Sequence, residues 1–403
     1  MTKANTKGQS QFSHRVNRIA KLTSGICFCS LLLGASGSAF SADVSLYGVV
    51  DLGLNYSHLS GDGREDLDRF QMLSDQQYGS RWGLTGEEDL SESVKIGFIL
   101  EDGFAADTGA ESGQMFDRES SLFLKGSFGR VAFGRMGSIN QGITSWTLVN
   151  NLSAFGTSYG SYVAQAGSFV STAGIWDNMI SYETPDMAGF KIYAQYSAGQ
   201  QTDAAGAALK DTAENESKSD RYYVAGVSYS SSLLSGYLAV DSRNYRTAGT
   251  GADANQDDSL TVTFGANCGF AQTRVYVGAQ YFDEVALSTL GGIVGTESPT
   301  KDLKVKGWGV GLSADHRIGA AKLMAGAAYV DAEQSDYQKV HQKEPRSFDL
   351  TRQVYSVGCE YDLTKRSNLY SVASYMRDEF EESGQSEKAS NAFTVMLGLR
   401  HIF

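Results

Sequence analysis

Only three prolines interrupt 403 residues, so long stretches of chain keep every backbone N–H available for strand pairing. Cysteine is nearly as scarce. Of four, Cys27 and Cys29 sit in an apolar N-terminal stretch, which leaves Cys268 and Cys359 in the body of the chain and implies no disulfide framework. Neither has a CxxC spacing or a neighbouring histidine, so both read as small apolar strand residues; no metal and no cofactor is expected. Histidine numbers five: His14 near the N-terminus, His58 and His341 in expected loops, His316 near a turn and His401 near the end. None belongs to a recognisable Ser/His/Asp arrangement, so a β-barrel hydrolase would lack a visible nucleophile and base, and no enzyme is expected. Beyond the N-terminus no apolar run approaches the ~20 residues of a spanning helix, which excludes a helical membrane protein. Basic residues are also in deficit, 34 against 46 acidic ones, which argues against nucleic acid as a partner.

What is present points elsewhere. Lys3, Lys7, Arg15, Arg18 and Lys21 precede an apolar run from about Leu22 to Ala35, followed by the small residues Gly37, Ser38, Ala39, Ser41 and Ala42. This is the pattern of a secretory signal peptide over 1–41, with cleavage between Ala39 and Asp43 and a mature domain over 42–403. Cleavage removes five basic residues and no acidic one, which carries the formal charge from -12 to -17.

The remaining chain alternates in polarity over segments about ten residues long, as strands do when one face meets lipid and the other water. In the first, Leu46, Gly48, Val50, Leu52 and Leu54 alternate with Ser45, Tyr47, Val49, Asp51 and Asn55. In the last, Phe393, Val395, Leu397, Leu399 and Phe403 form an outward row against Asn391, Thr394, Gly398 and Arg400. Further strands are expected near 78–88, 92–104, 115–126, 129–136, 176–184, 189–199, 219–230, 233–244, 257–267, 270–283, 304–316, 319–332, 348–361 and 366–378. Connections alternate between short ones, such as Asp89–Ser91, Cys268–Gly269 and Arg317–Ile318, and long polar ones near 57–77, 105–114, 137–175, 200–218, 245–256, 284–303, 333–347 and 379–388. The implied fold is all-β, a transmembrane antiparallel barrel of about 16 strands with both termini on the short-turn side.

Several blocks carry a resemblance. They are Leu46-Tyr47-Gly48-Val49-Val50-Asp51, Ser80-Arg81-Trp82-Gly83-Leu84-Thr85-Gly86-Glu87-Glu88-Asp89-Leu90, Phe128-Gly129-Arg130-Val131-Ala132-Phe133-Gly134-Arg135, Ile180-Ser181-Tyr182-Glu183-Thr184-Pro185 and the ending Gly398-Leu399-Arg400-His401-Ile402-Phe403. In order and spacing the chain resembles the general-diffusion porins of Gram-negative bacteria, the β-proteobacterial and neisserial branch. The resemblance implies a homotrimer in the outer membrane, embedded in lipid and lipopolysaccharide, that passes small hydrophilic solutes by passive diffusion. It also implies that Phe403 is read by the barrel-assembly machinery, that the long third loop folds into the pore, and that Arg81, Arg118 and Arg135 form the basic wall of a constriction. Asp51, Glu101, Ser181 and Glu183 are candidate polar lining, with Asp51, Glu101 or Glu183 as alternative wall partners for the arginines. Ser181 stands where the branch often has a further arginine.

The connection from Gly137 to Ile175, about 39 residues, exceeds ordinary loop lengths. It has no Asp, Glu, Lys, Arg or His, a departure from the acidic loop common in the family. Asn150, Asn151, Tyr159 and Tyr162 are its candidate lumen residues. Tyr159, Tyr162, Phe155 and Trp146 could stack on sugar rings, as in a substrate-specific channel, or anchor the loop against the wall. Arginines facing a neutral loop favour anions locally while acidic loops gather cations at the mouth, so weak ion selectivity of undetermined sign is expected. Amino-terminal sequencing of the exported protein should begin between residues 40 and 43; a start at Met1 would overturn the signal-peptide reading.

Overall fold

A computed structural model describes residues 43–157, 159–199, 220–245, 257–295, 303–336, 347–382 and 386–403. The expected signal peptide lies outside the described residues, as do most of the long connections near 200–218, 245–256 and 333–347. Alternating polarity with few prolines gives strands throughout. They are β1 (Asp43–Gly61), β2 (Leu67–Ser74), β3 (Arg81–Ser91), β4 (Val94–Ala105), β5 (Ala110–Glu111), β6 (Glu119–Gly126), β7 (Gly129–Gly137), β8 (Ile175–Glu183) and β9 (Phe190–Ser197). There follow β10 (Arg221–Ser230), β11 (Leu234–Asn244), β12 (Leu260–Phe270), β13 (Thr273–Ala286), β14 (Lys304–Ile318), β15 (Ala321–Gln334), β16 (Phe348–Asp362), β17 (Ser367–Glu382) and β18 (Lys388–Ile402).

Neighbours pair antiparallel, and β1 pairs with β18 in the register Leu52 opposite Leu399, which closes the ring. The eighteen strands occupy sixteen positions, because two positions are each filled by two pieces. One edge of β1 is shared by β3, against 43–49, and β2, against 52–59; one edge of β4 is shared by β6 and the two-residue β5. Two connections expected as loops, 57–77 and 105–114, therefore contain β2 and β5 and the upper end of β1, including His58. The outward row here is short, Phe70 and Met72 opposite Tyr56 and Leu54, and it is set among polar neighbours, so no ten-residue alternation marks it.

Turns also lie further along the chain than expected: the β3–β4 turn is at Glu92–Ser93 rather than Asp89–Ser91, because strand pairing continues to Ser91 opposite Val94. The β12–β13 turn is at Ala271–Gln272 rather than Cys268–Gly269, and the β14–β15 turn at Gly319–Ala320 rather than Arg317–Ile318. Ala271 (φ 51) and Gly319 (φ 60) supply the left-handed residue that tight hairpins need.

Outward positions carry exposed apolar side chains, among them Leu54, Leu122, Phe133, Ile180, Ile192, Phe264, Leu312, Val357 and Leu397. So continuous an apolar surface needs a nonaqueous solvent. Rings gather at its two borders: Phe128, Phe190, Phe270, Tyr361 and Phe403 near the short turns, and Tyr56, Phe70, Tyr223, Tyr281 and Trp308 near the long connections. Asn391 shares the parity of Phe393, so it belongs to the outward row rather than the inner one, near the strand's polar start.

Residues 138–174 fold back against the inner wall. Ordering such a segment costs about 1–2 kcal/mol per residue of backbone entropy, so it needs many anchors. Ile139, Trp146, Val149, Leu152, Phe155, Tyr159, Val163, Phe169 and Val170 are all buried. Their seats are strands without side chains: Leu152 lies over Gly265 and Gly278, Phe155 over Gly326 and Gly358, and Phe169 over Gly278, Gly309 and Gly311. Wall side chains complete the docking. Gln195 accepts from the Ile139 amide (2.8 Å), Ser313 from the Ala154 amide (2.9 Å), Ser356 from the Ala164 amide (2.8 Å) and Gln280 from the Ser171 amide (2.6 Å).

Gly309 is the tightest of these seats, since an added Cβ would collide with the Phe169 carbonyl oxygen. Gly309→Val should destabilise the barrel by about 1–3 kcal/mol. The measurement is the temperature at which the folded band converts to the unfolded one on a denaturing gel, and an unchanged temperature would mean that the segment does not depend on this contact.

Candidate functional site

Between the segment and the wall of β1, β3, β4 and β6 lies a cavity of about 240 Å³. Tyr47, Tyr78, Arg81, Glu101 and Arg118 line it from the wall, and Thr144, Ser145, Thr147 and Asn150 from the segment. Strand parity aims Tyr47 and Glu101 inward. Arg81 follows the insertion 75–80, and Arg118 follows Phe116, whose φ of 57° turns the chain into β6.

Glu101 is the centre of the cluster. Its Oε1 lies 2.6 Å from Arg118 Nε and its Oε2 3.3 Å from Arg81 Nε, while the Tyr47 hydroxyl donates to Oε2 at 3.0 Å. Arg118 Nη2 donates to the Ile143 carbonyl (2.9 Å), so the basic wall grips the segment's backbone directly. Arg81 Nη1 donates to the Gly79 carbonyl at 2.8 Å. Two guanidiniums thus share one carboxylate. Beside them Glu119 is buried and satisfied by neutral donors, the Ser121 hydroxyl (2.8 Å), the Ser145 amide (3.0 Å) and the Ser145 hydroxyl (2.9 Å).

The structure brings only some of the expected residues to this cavity. Arg135 sits apart, its Nη1 2.5 Å from Asp177 Oδ1, across an irregularity between β7 and β8 at which Asn178 is left-handed (φ 53°). Asp51 is fully buried and, although Arg400 stands opposite it in the β1–β18 register, its carboxylate is taken up by other donors. Its Oδ2 accepts from the amides of Gln77 (2.9 Å) and Tyr78 (2.7 Å), and its Oδ1 from the Tyr370 hydroxyl (2.5 Å), which staples the insertion 75–80 into the wall. Ser181 is also fully buried, accepting from Gln195 Nε2 at 2.9 Å. Glu183 pairs with Lys191 (3.5 Å) near a short turn.

Within the segment, Asn150 reaches the cavity whereas Asn151 turns to β12, accepting from Asn267 Nδ2 at 3.2 Å. Tyr159 donates to Glu360 (2.7 Å) and accepts from Gln77 Nε2 (2.8 Å). Burial, with the Glu360 carboxylate beside it, pushes this phenol well above its ordinary range and keeps it a donor. Trp146, Phe155 and Tyr159 are buried and act as anchors. Tyr162 is half-buried and lines a second cavity of about 290 Å³ with Asn55, Ser57, Arg69 and Gln71. Phe403 exchanges backbone hydrogen bonds with Gly48, and its ring covers the space where Gly48 has no side chain.

Tyr47, Glu119, Arg130 and Asp177 are participants that the sequence pattern did not single out. Arg130 lies over the rings of Phe123 (4.7 Å) and Trp146 (4.5 Å). Inward parity would have flagged Tyr47 and Glu119, but only the folded segment shows what faces them. Among the described residues no group of His, Cys, Asp or Glu could hold a metal ion. The arrangement offers polar groups at close quarters, suited to replacing a solute's hydration rather than to bond-making.

The family model described as Gram-negative porin matches residues 29–381. An outer membrane porin protein of Bordetella pertussis is 30% identical over 401 residues, spanning 93% of this chain and 98% of its own. Outer membrane porin protein 32 of Delftia acidovorans is 26% identical over 92% of this chain and 97% of its own. Among solved structures, an anion-selective porin from Comamonas acidovorans superposes with a TM-score of 0.65 at 22% identity, over 90% of this chain and 100% of that one, which speaks to the fold. With the closed barrel, the apolar belt and the polar lumen, these matches establish that the chain belongs to the Gram-negative porin family and is a channel of the outer membrane.

Proposed function

We propose that the channel carries ions and small hydrophilic solutes by passive diffusion, with weak ion selectivity set where Arg81, Arg118 and Glu101 face the neutral stretch Thr144–Asn150. The observation that carries this reading is the cavity between them, lined by charged wall groups on one side and by uncharged hydroxyl and carboxamide groups on the other. Selectivity is weak because most of the arginine charge is already compensated, with one net positive charge left where two guanidiniums share Glu101. Glu101 answers Arg81 and Arg118, and Asp177 answers Arg135, so a passing ion meets a reduced charge. The neutrality of segment 138–174 fits the same scheme. Wall carboxylates meet hydroxyl, amide and carboxamide donors there: Glu119 meets Ser145, Glu360 meets Tyr159, and Asp241 meets the Asn140 side chain.

The functional unit in this reading is a homotrimer surrounded by lipid and lipopolysaccharide, exported through a signal peptide over 1–41. Phe403 serves as the assembly signal, a role that sits easily with its place on the seam between β18 and β1. A substrate-specific channel is the second reading. It loses ground because Trp146, Phe155 and Tyr159, the rings that would stack on a sugar, are spent on anchoring.

Reversal potentials across a planar bilayer in a salt gradient should give a permeability ratio within about tenfold of unity, and a larger ratio either way would refute weak selectivity. Glu101→Gln removes the shared negative charge and leaves both guanidiniums uncompensated. The permeability ratio should therefore move toward anions, by about 1.5- to 3-fold at low salt and less at high salt. Swelling of proteoliposomes in small sugars should rise linearly with concentration, whereas saturation would favour the specific channel.

A further inference from the structure

At the long-connection end of the lumen the inner wall departs from the polar character of the rest. Val305 of β14, Val330 and Ala332 of β15, and Leu350 and Val354 of β16 take inward positions and are buried. An apolar inner face in a water-filled tube has to be covered. The cover is a second stretch of chain. After β13 a short 3-10 turn, Leu287–Leu290, leads to Ile293 and Val294, and these four side chains are buried in the same cluster as the wall residues.

The hydrogen bonds record how far this stretch travels. It leaves the wall at β13 and returns at β14, yet its partners lie on β16, β17 and the β1–β2 turn. Arg352 of β16 donates to the carbonyls of Leu290 and Gly292, Asp378 of β17 accepts from the Val294 amide (2.9 Å), and Arg64 donates to the Val294 carbonyl (3.3 Å). To make them the stretch must cross the inner faces of β14 and β15. Arg352 and Asp378 are directly opposite in the β16–β17 register and form a two-contact ion pair, 2.7 and 2.8 Å, at 2% and 0% side-chain exposure. An ion pair so deeply buried costs desolvation and adds little stability by itself, so its distinguishing product is position. Thr289 also meets Ser171 of the first inward segment, hydroxyl to hydroxyl at 2.6 Å.

We propose that Arg352 and Asp378 are positioning residues that hold 287–295 across the lumen as a second constriction, and that this stretch limits the size of solute admitted. The inference rests on the diffusion-channel reading above. The segment 138–174 meets the wall at the level of Ser356 and Ser374, and the stretch 287–295 meets the same strands at Arg352 and Asp378, nearer the mouth, so the two lie one above the other along the open path.

The test compares single-channel conductance and sugar exclusion of the full-length channel with two variants that load the latch differently. Arg352→Gln with Asp378→Asn neutralises both partners and leaves no unpaired buried charge. Val294→Pro removes one loop amide and touches no wall residue, so it decides the matter if the first variant does not fold. Either variant, once folded and inserted, should conduct about 1.5- to 2-fold more than the wild type and admit larger saccharides. A disulfide between Ser171→Cys and Thr289→Cys, made with Cys268→Ser and Cys359→Ser, should return the latch variant to wild-type conductance, and a reductant should reverse this. Folded variants with unchanged conductance and exclusion would overturn the proposal while leaving the channel reading intact. A wild type that inserts without conducting would instead overturn the channel reading itself.

Discussion

Everything in this molecule follows from the requirement that a wall surrounded by hydrocarbon leave no backbone N–H or C=O unpaired. Closure of β1 against β18 meets that requirement, and it fixes which side chains face lipid and which face the lumen through a period of two. It explains why strand two may be built from β2 and β3 without harm. The break occurs at 75–80, where Asp51 takes the amides of Gln77 and Tyr78 that the ladder no longer pairs. A buried carboxylate here does the work of a strand edge.

Closure also creates an interior too wide for its own side chains to fill, and the structure narrows it with chain rather than with bulk. Glycines on the inner face make room for Leu152, Phe155 and Phe169, and the wall's carboxylates and hydroxyls receive the segment's polar groups. Charge stays on the rigid wall and the inserted chain stays neutral. That division avoids burying a charge on a loop whose entropy already opposes its position. It also leaves guanidiniums on fixed strands, where packing and hydrogen bonds hold them in place.

Much of the fold is legible in the order of the residues. The outward row Phe393, Val395, Leu397 and Leu399 can be read directly, as can the long uncharged connection after β7, because periodicity and charge are local properties of the chain. Less of the site is legible there. Arg81 and Arg118 come to one cavity with Asn150, but Arg135 is drawn off by Asp177, Asp51 serves the backbone, and Ser181 is covered. The strand β2, within 57–77, escapes the pattern for a related reason: its outward pair Phe70 and Met72 is too short a row among polar residues to distinguish strand from loop.

By itself, then, the sequence determined that this chain forms a closed, lipid-facing barrel with a polar inside and one exceptional loop, since alternation, turn residues and loop length act on neighbours along the chain. The tertiary structure alone decided which charges pair, which rings anchor, and that a second stretch, 287–295, crosses the lumen to Arg352 and Asp378. Those contacts join residues from 17 to 319 positions apart, and their partners are chosen by the geometry of the closed ring, which no local pattern encodes.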